Sequence, residues 1–153
     1  MTDLVPVDTA SLAQPASERE LVRRRAEAYA VRWLHGYTSP STRNAYAVDI
    51  GLTPDTRAGL PGAPAVPEPA AEWAWIPWAL DHHLDPAGPL TKADAEAYAH
   101  TLHEFEKNVR RRRWAALCAF YRSLRVEGVV ACDPGEMVNR RTMGLAGTDP
   151  SST

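Results

Sequence analysis

The sequence predicts an all-α protein, a bundle of four or five helices broken by one Pro-rich insertion loop. Three observations carry this expectation. Helix start signals recur: Ser17-Glu18-Arg19-Glu20, Ser39-Pro40 and Thr91-Lys92-Ala93-Asp94 each set a hydroxyl ahead of a run of helix formers. Trp114, Leu117, Cys118, Tyr121 and Leu124 return at helical spacing. No convincing strand pattern or internal repeat occurs.

A chain of 153 residues suits one domain. Residues 1–16 carry Pro, Ala and Thr without period and read as a flexible N-terminal arm; 146–153 read as a tail or linker. Between them, 17–145 form the expected domain. Its first helix starts at Ser17, whose spacing to Glu20 has the form of a capping box, and stops at Gly36. The second has Ser39 as N-cap and Pro40 as first residue, and fades near Gly51. Five prolines between Pro54 and Pro69 disfavour regular structure, so 54–69 is expected to be a loop. Order returns at Ala70 with Trp73, Trp75, Trp78 and Leu80, a segment that Pro77 is expected to bend or interrupt. After the turn Asp85-Pro86-Ala87-Gly88-Pro89, a capped helix runs from Thr91 through Tyr98, Leu102 and Phe105. The last long helix spans about Asn108 to Val126 and ends at Gly128, and a short one follows Asp133-Pro134-Gly135.

Charge is distributed unevenly. The net charge is −2, yet Lys107 to Arg125 hold seven bases and no acid, leaving ten bases against nineteen acids elsewhere. A cationic helix end braced by apolar later turns suits a polyanion, and duplex DNA above all. Arg23-Arg24-Arg25 is different, because Glu20 and Glu27 lie at pairing distance along the same helix. The three tryptophans read as core rather than as a platform for bases. No run of about 18 apolar residues suggests a membrane span, and the N-terminus has no secretory pattern, so a cytoplasmic protein is expected. Cys118 reads as a buried thiol on an apolar face. His82, His83, His100 and His103 do not form a convergent metal set by spacing, and neither a cofactor nor a catalytic constellation stands out.

Ser39 to Asp49 resembles the Ser-x-x-Thr-x-x-x-Tyr-x-x-Asp segment of the N-terminal, SAM-like core-binding domain of tyrosine recombinases (phage-type integrases). Trp75 to Pro86, Thr91 to Leu102, and Arg112-Arg113-Trp114-Ala115-Ala116-Leu117 with Phe120-Tyr121 and Asp133-Pro134 are similar to later segments of that domain, in order. The resemblance covers roughly 17–145. It implies that two helix N-termini meet a DNA groove, through Ser41, Thr42, Arg43 and Asn44 on one helix and Lys107, Asn108, Arg110, Arg111, Arg112 and Arg113 on the other. Arg111 and Arg112 are expected to point away from the apolar seam. Arg110 and Arg113 lie nearer it but are expected to splay outward.

The sequence departs from the family pattern in three ways. The Pro-rich stretch interrupts the domain, and Glu104-Phe105-Glu106-Lys107-Asn108 replaces the usual Gly and Ser/Thr, so the third and fourth helices are expected to be poorly separated. The family's second domain, with its Arg/Lys/His/Arg/His set and tyrosine nucleophile, has no room before Thr153. The resemblance therefore implies binding to a recombination half-site, with other recombinase subunits as further partners on the DNA, without catalysis by this chain. It implies no membrane and no small-molecule substrate. Two rivals share the residues: a stand-alone DNA-binding regulator, and a helical interaction module whose basic helix meets an acidic partner.

Overall fold

The computed structural model describes residues 17–63, 68–139, 141 and 143–145. The expected arm, the tail and residues 64–67 of the Pro-rich stretch lie outside these. The helices are α1 (Glu18–Leu34), α2 (Pro40–Ile50), α3 (Pro54–Ala58), α4 (Trp75–Asp81), α5 (Lys92–Thr101), α6 (Lys107–Val126) and α7 (Pro134–Met137), with one turn of 3-10 helix at Leu102–Glu104. No strand occurs among the described residues, as the all-α expectation requires.

Local chemistry explains most boundaries. The Ser17 hydroxyl accepts the Glu20 N–H at 3.1 Å and starts α1. The box is only half closed, because Arg23 and Arg24 take the Glu20 carboxylate instead. Ser39 caps α2 through the Thr42 N–H, and Gly51 ends it with φ +90°. Glycine is required there: a Cβ would stand 2.5 Å from Pro77 Cδ and 2.9 Å from Ala74 Cβ. Thr91 and Asp94 form the complete capping box of α5, and Asp133 and Glu136 form another on α7.

Two expectations for the proline-bearing segments need correction. The stretch from Pro54 is not irregular throughout, since Pro54 opens α3. At the first helical position proline loses no hydrogen bond, and its fixed φ favours the turn. The buried Glu27 holds α3 by accepting the Thr53 N–H at 2.7 Å and the Thr56 hydroxyl at 3.1 Å. Pro77 is the third residue of α4, among the N–H groups that lack intrahelical partners in any helix, so it interrupts nothing. The third and fourth long helices are also cleanly separated. Phe105 and Glu106 are extended, with ψ 157° and 161°, and break the chain between the 3-10 turn and α6.

Helix α6 is the axis of the molecule, packing on α1, α2, α7 and the 3-10 turn. Trp114, Leu117, Phe120, Tyr121 and Leu124 line its buried side. They meet Trp33 of α1, Ile50 of α2, Trp75 of α4 and Tyr98 of α5 in one hydrophobic core. Full burial of each large side chain contributes about 1.5–3 kcal/mol. Two polar tips in this core find backbone partners: Trp75 Nε1 donates to the Pro86 carbonyl at 2.8 Å, and the Tyr121 hydroxyl donates to the Gly88 carbonyl at 2.7 Å. These bonds pin the 85–89 turn against α6. Trp75 and Trp78 are core residues and Cys118 is buried, as the sequence predicts, whereas Trp73 is half-buried at the edge of the core.

Candidate nucleic-acid interface

The start of α2 does not present the polar set that the sequence suggests. Arg43 is buried. Its guanidinium donates to the Pro61 carbonyl through Nε at 3.2 Å and Nη2 at 2.8 Å, and to the Tyr37 carbonyl through Nη1. Asn44 donates to the Gly62 carbonyl at 2.8 Å. Together they fasten the 61–62 turn onto α2, a backbone-holding task rather than a contact offered to a groove. Ser41 is exposed and Thr42 half-buried. The Pro61 acceptor of Arg43 lies 18 residues down the chain, which the local pattern does not reveal.

The basic run at the start of α6 divides in the same way. Arg110 turns back to the Gly144 carbonyl at 3.0 Å and the Phe105 carbonyl at 3.1 Å. Arg113 lies between two rings, its guanidinium carbon 3.3 Å from the Trp73 centroid and 4.1 Å from that of Phe105. Its side chain is 13% exposed and stands 3.8 Å from Asp49. Neither residue splays outward. Burial pulls the Arg113 pKa down from its ordinary value, with the Asp49 charge acting the other way.

Asp49, on the last turn of α2, organises this end of α6. Its side chain is fully buried and accepts two hydrogen bonds from Arg112, at 2.9 Å and 3.0 Å. That forked geometry is strong and orientation-specific. The hydrogen bonds from Arg112 to Asp49 raise the Arg112 pKa further. Arg112 nevertheless keeps 47% of its side chain exposed. The bridge therefore joins the end of α2 to the start of α6. Ser41 lies eight residues before Asp49, roughly 12 Å away along the helix axis. The two predicted helix starts are anchored to different neighbours, α2 to the 61–62 turn and α6 to Phe105 and Gly144.

An outward face of α6 remains. Lys107 and Asn108 are exposed, and Arg111 is half-buried and, among the described residues, bonds to the Asn108 side chain at 2.5 Å. Arg122, which is not among the contacts that the resemblance implies, is exposed and lies on the face of Arg111. The i, i+4, i+7, i+11 spacing of Arg111, Ala115, Cys118 and Arg122 is the signal that points to it. Ala115 and Ala119 keep the surface between the cations low. Tyr46 of α2, stacked on Trp33 at 5.5 Å, is half-buried, and burial raises its pKa. Arg23, by contrast, pairs with Glu20 and Glu27 along α1, as its spacing predicts. Among the described residues no group of His, Cys, Asp and Glu is placed to hold a metal ion, and no helix is long and apolar enough to cross a membrane. No protein-family model matches this chain, and neither does any curated protein or solved structure with which it was compared.

Proposed function

We propose that this chain binds duplex DNA through the outward face of α6, as the DNA-gripping domain of a site-specific recombinase of the tyrosine type. The observation that carries the reading is one helix that bears Lys107, Arg111 and Arg122 along a single face and Arg112 about 100° round from Arg111, with no acid anywhere along the helix. The helix is held from behind by the core, and Arg112 by the Asp49 bridge, so the backbone that carries the cations is already ordered when phosphates arrive. The recombinase assignment rests on the sequence resemblance, and the activity proposed is binding rather than strand cleavage.

Four outward cations predict a slope of log affinity against log salt of roughly −3 to −4. Replacing Arg111 and Arg122 together by alanine reduces that slope by about 2 and weakens binding across unrelated sequences. Gel-shift or anisotropy titrations over a salt series measure this. A helical interaction module shows no duplex binding beyond weak charge attraction at physiological salt, and an unaltered slope in the double variant removes these two residues from the interface.

A further inference from the structure

Arg112 combines a buried anchor with an open working edge. Asp49, whose side chain is fully buried, accepts its Nε–H at 2.9 Å and one Nη2–H at 3.0 Å. A guanidinium is planar and its N–H groups point in fixed directions. With the Nε/Nη2 edge taken by Asp49, the end-on edge keeps two parallel donors, one N–H from each Nη. Nearly half of the side chain stays in solvent.

Two features separate Arg112 from Lys107, Arg111 and Arg122. It is held, because swinging away would leave the buried Asp49 carboxylate with only Arg113 beside it, at 3.8 Å. It also points elsewhere, about 100° round the axis from Arg111. In a helix laid along the major groove, a face turned to the groove wall meets phosphates. A residue that far round meets the floor, where the base edges lie. By helical spacing the arc between Arg111 and Arg112 carries Asn108, Ala115 and Ala119, none bulky enough to hold a base pair away. Arg112 is in the second turn of α6, and the first turns of a groove helix are the ones that reach bases.

We propose that Arg112 reads guanine, donating from its end-on edge to O6 and N7 in the major groove, with Asp49 as the residue that positions it. Guanine sets two acceptors side by side there, which a fixed fork matches, whereas adenine puts an amino donor beside N7. The inference rests on the duplex-binding reading above and adds which residue selects sequence. Lys107, Arg111 and Arg122 supply an attraction to phosphate that is blind to sequence.

The test begins with duplexes that the full chain recovers from a random-sequence pool, which are expected to share a G·C pair at one position. Anisotropy titrations of a recovered duplex and its single-pair variants measure the preference there, expected at about fivefold or more over A·T. Arg112→Lys keeps the charge and loses the fork. The preference at that pair is expected to vanish, with the salt slope and the preferences at other pairs retained. Asp49→Asn is expected to weaken the same preference. A merely structural role lowers affinity for every duplex alike and leaves the ratio unmoved. If Arg112→Lys fails to fold, 7-deazaguanine, which lacks the N7 acceptor but pairs normally, is placed at that position. It is expected to weaken binding about fivefold in the parent chain, and equally in Lys107→Ala, Arg111→Ala and Arg122→Ala; no loss in the parent, or a loss abolished by one of those three, overturns the inference. No shared guanine, or a guanine preference that Arg112→Lys retains, also overturns it and leaves duplex binding standing. No duplex binding at physiological salt ends both.

Discussion

Asp49→Asn probes the contact that sets the start of α6. Asparagine keeps the shape but removes the charge facing Arg112 and Arg113. The Arg112 bonds are charge-assisted, each worth about 1.5–3 kcal/mol to stability, but Arg112 is 47% exposed and recovers much of that from water. Arg113 does not, being 13% exposed between Trp73 and Phe105. At an effective dielectric of about 20, a charge 3.8 Å away is worth roughly 4 kcal/mol before solvation is counted. Breaking buried pairs costs about 3–5 kcal/mol when the remaining charge has no relief. The partial relief at Arg112 brings the expected loss to about 3 kcal/mol. For a domain of this size that lowers Tm by about 6–12 °C. Arg112→Ala costs less, because Arg113 stays beside Asp49 as its counter-ion. Urea unfolding of both variants measures the difference. A loss below about 1 kcal/mol in Asp49→Asn, or a larger loss in Arg112→Ala, refutes the reasoning.

Other expectations follow from local geometry. Gly51→Ala combines left-handed strain with overlap on Pro77 and Ala74 and costs about 2–4 kcal/mol. Gly128→Ala, at φ +79° with open space around the new methyl, costs only about 1–2 kcal/mol; equal losses in urea would remove the packing contribution at Gly51. Burial raises the pKa of Tyr98 and Tyr121 above the ordinary 10.0. Their stabilisation is present below that pH and is lost as pH rises beyond it, so tyrosinate absorbance from both appears only with unfolding. Glu136 is shifted the other way, below 4.5, by the Asp133 N–H and then by Arg125. Its contribution is present above that pH and is lost as pH falls through the folded value, so Glu136→Gln flattens the acid limb of a stability profile.

The helices were legible because their signals are local. Ser39-Pro40 and Gly51 bracket α2 to the residue, and Thr91 with Asp94 starts α5 as their spacing predicts. What the sequence hid depends on distant partners. Arg43 looks like a free donor on a helix start until the Pro61 and Tyr37 carbonyls close over it. Pro77 looks like a breaker until its place in the first turn of α4 is known. The same holds for the arginine run, in which four adjacent and identical side chains take four environments. Helical spacing turns each residue by about 100° from the last, so a run of four must meet carbonyls, solvent, a carboxylate and a pair of rings in succession.

That rotation bears on how the binding reading is to be judged. Arg110 and Arg113 belong to the fold, and Arg112 belongs both to the fold and to the outward face, so a loss of DNA affinity on replacing Arg112 would not separate a lost phosphate contact from a displaced helix. Arg111 and Arg122 are free of this ambiguity. Among the described residues Arg111 bonds only to Asn108, within its own helix, and Arg122 has no hydrogen bond or ion pair. Removing them leaves the core, the Asp49 bridge and the 61–62 turn untouched. Stability within about 0.5 kcal/mol of the parent is therefore expected of the double variant. With Tm unchanged, a change in its salt slope reports the interface alone, whereas a fall in Tm would show that this face is braced by contacts to the rest of the fold and is not free to meet phosphate.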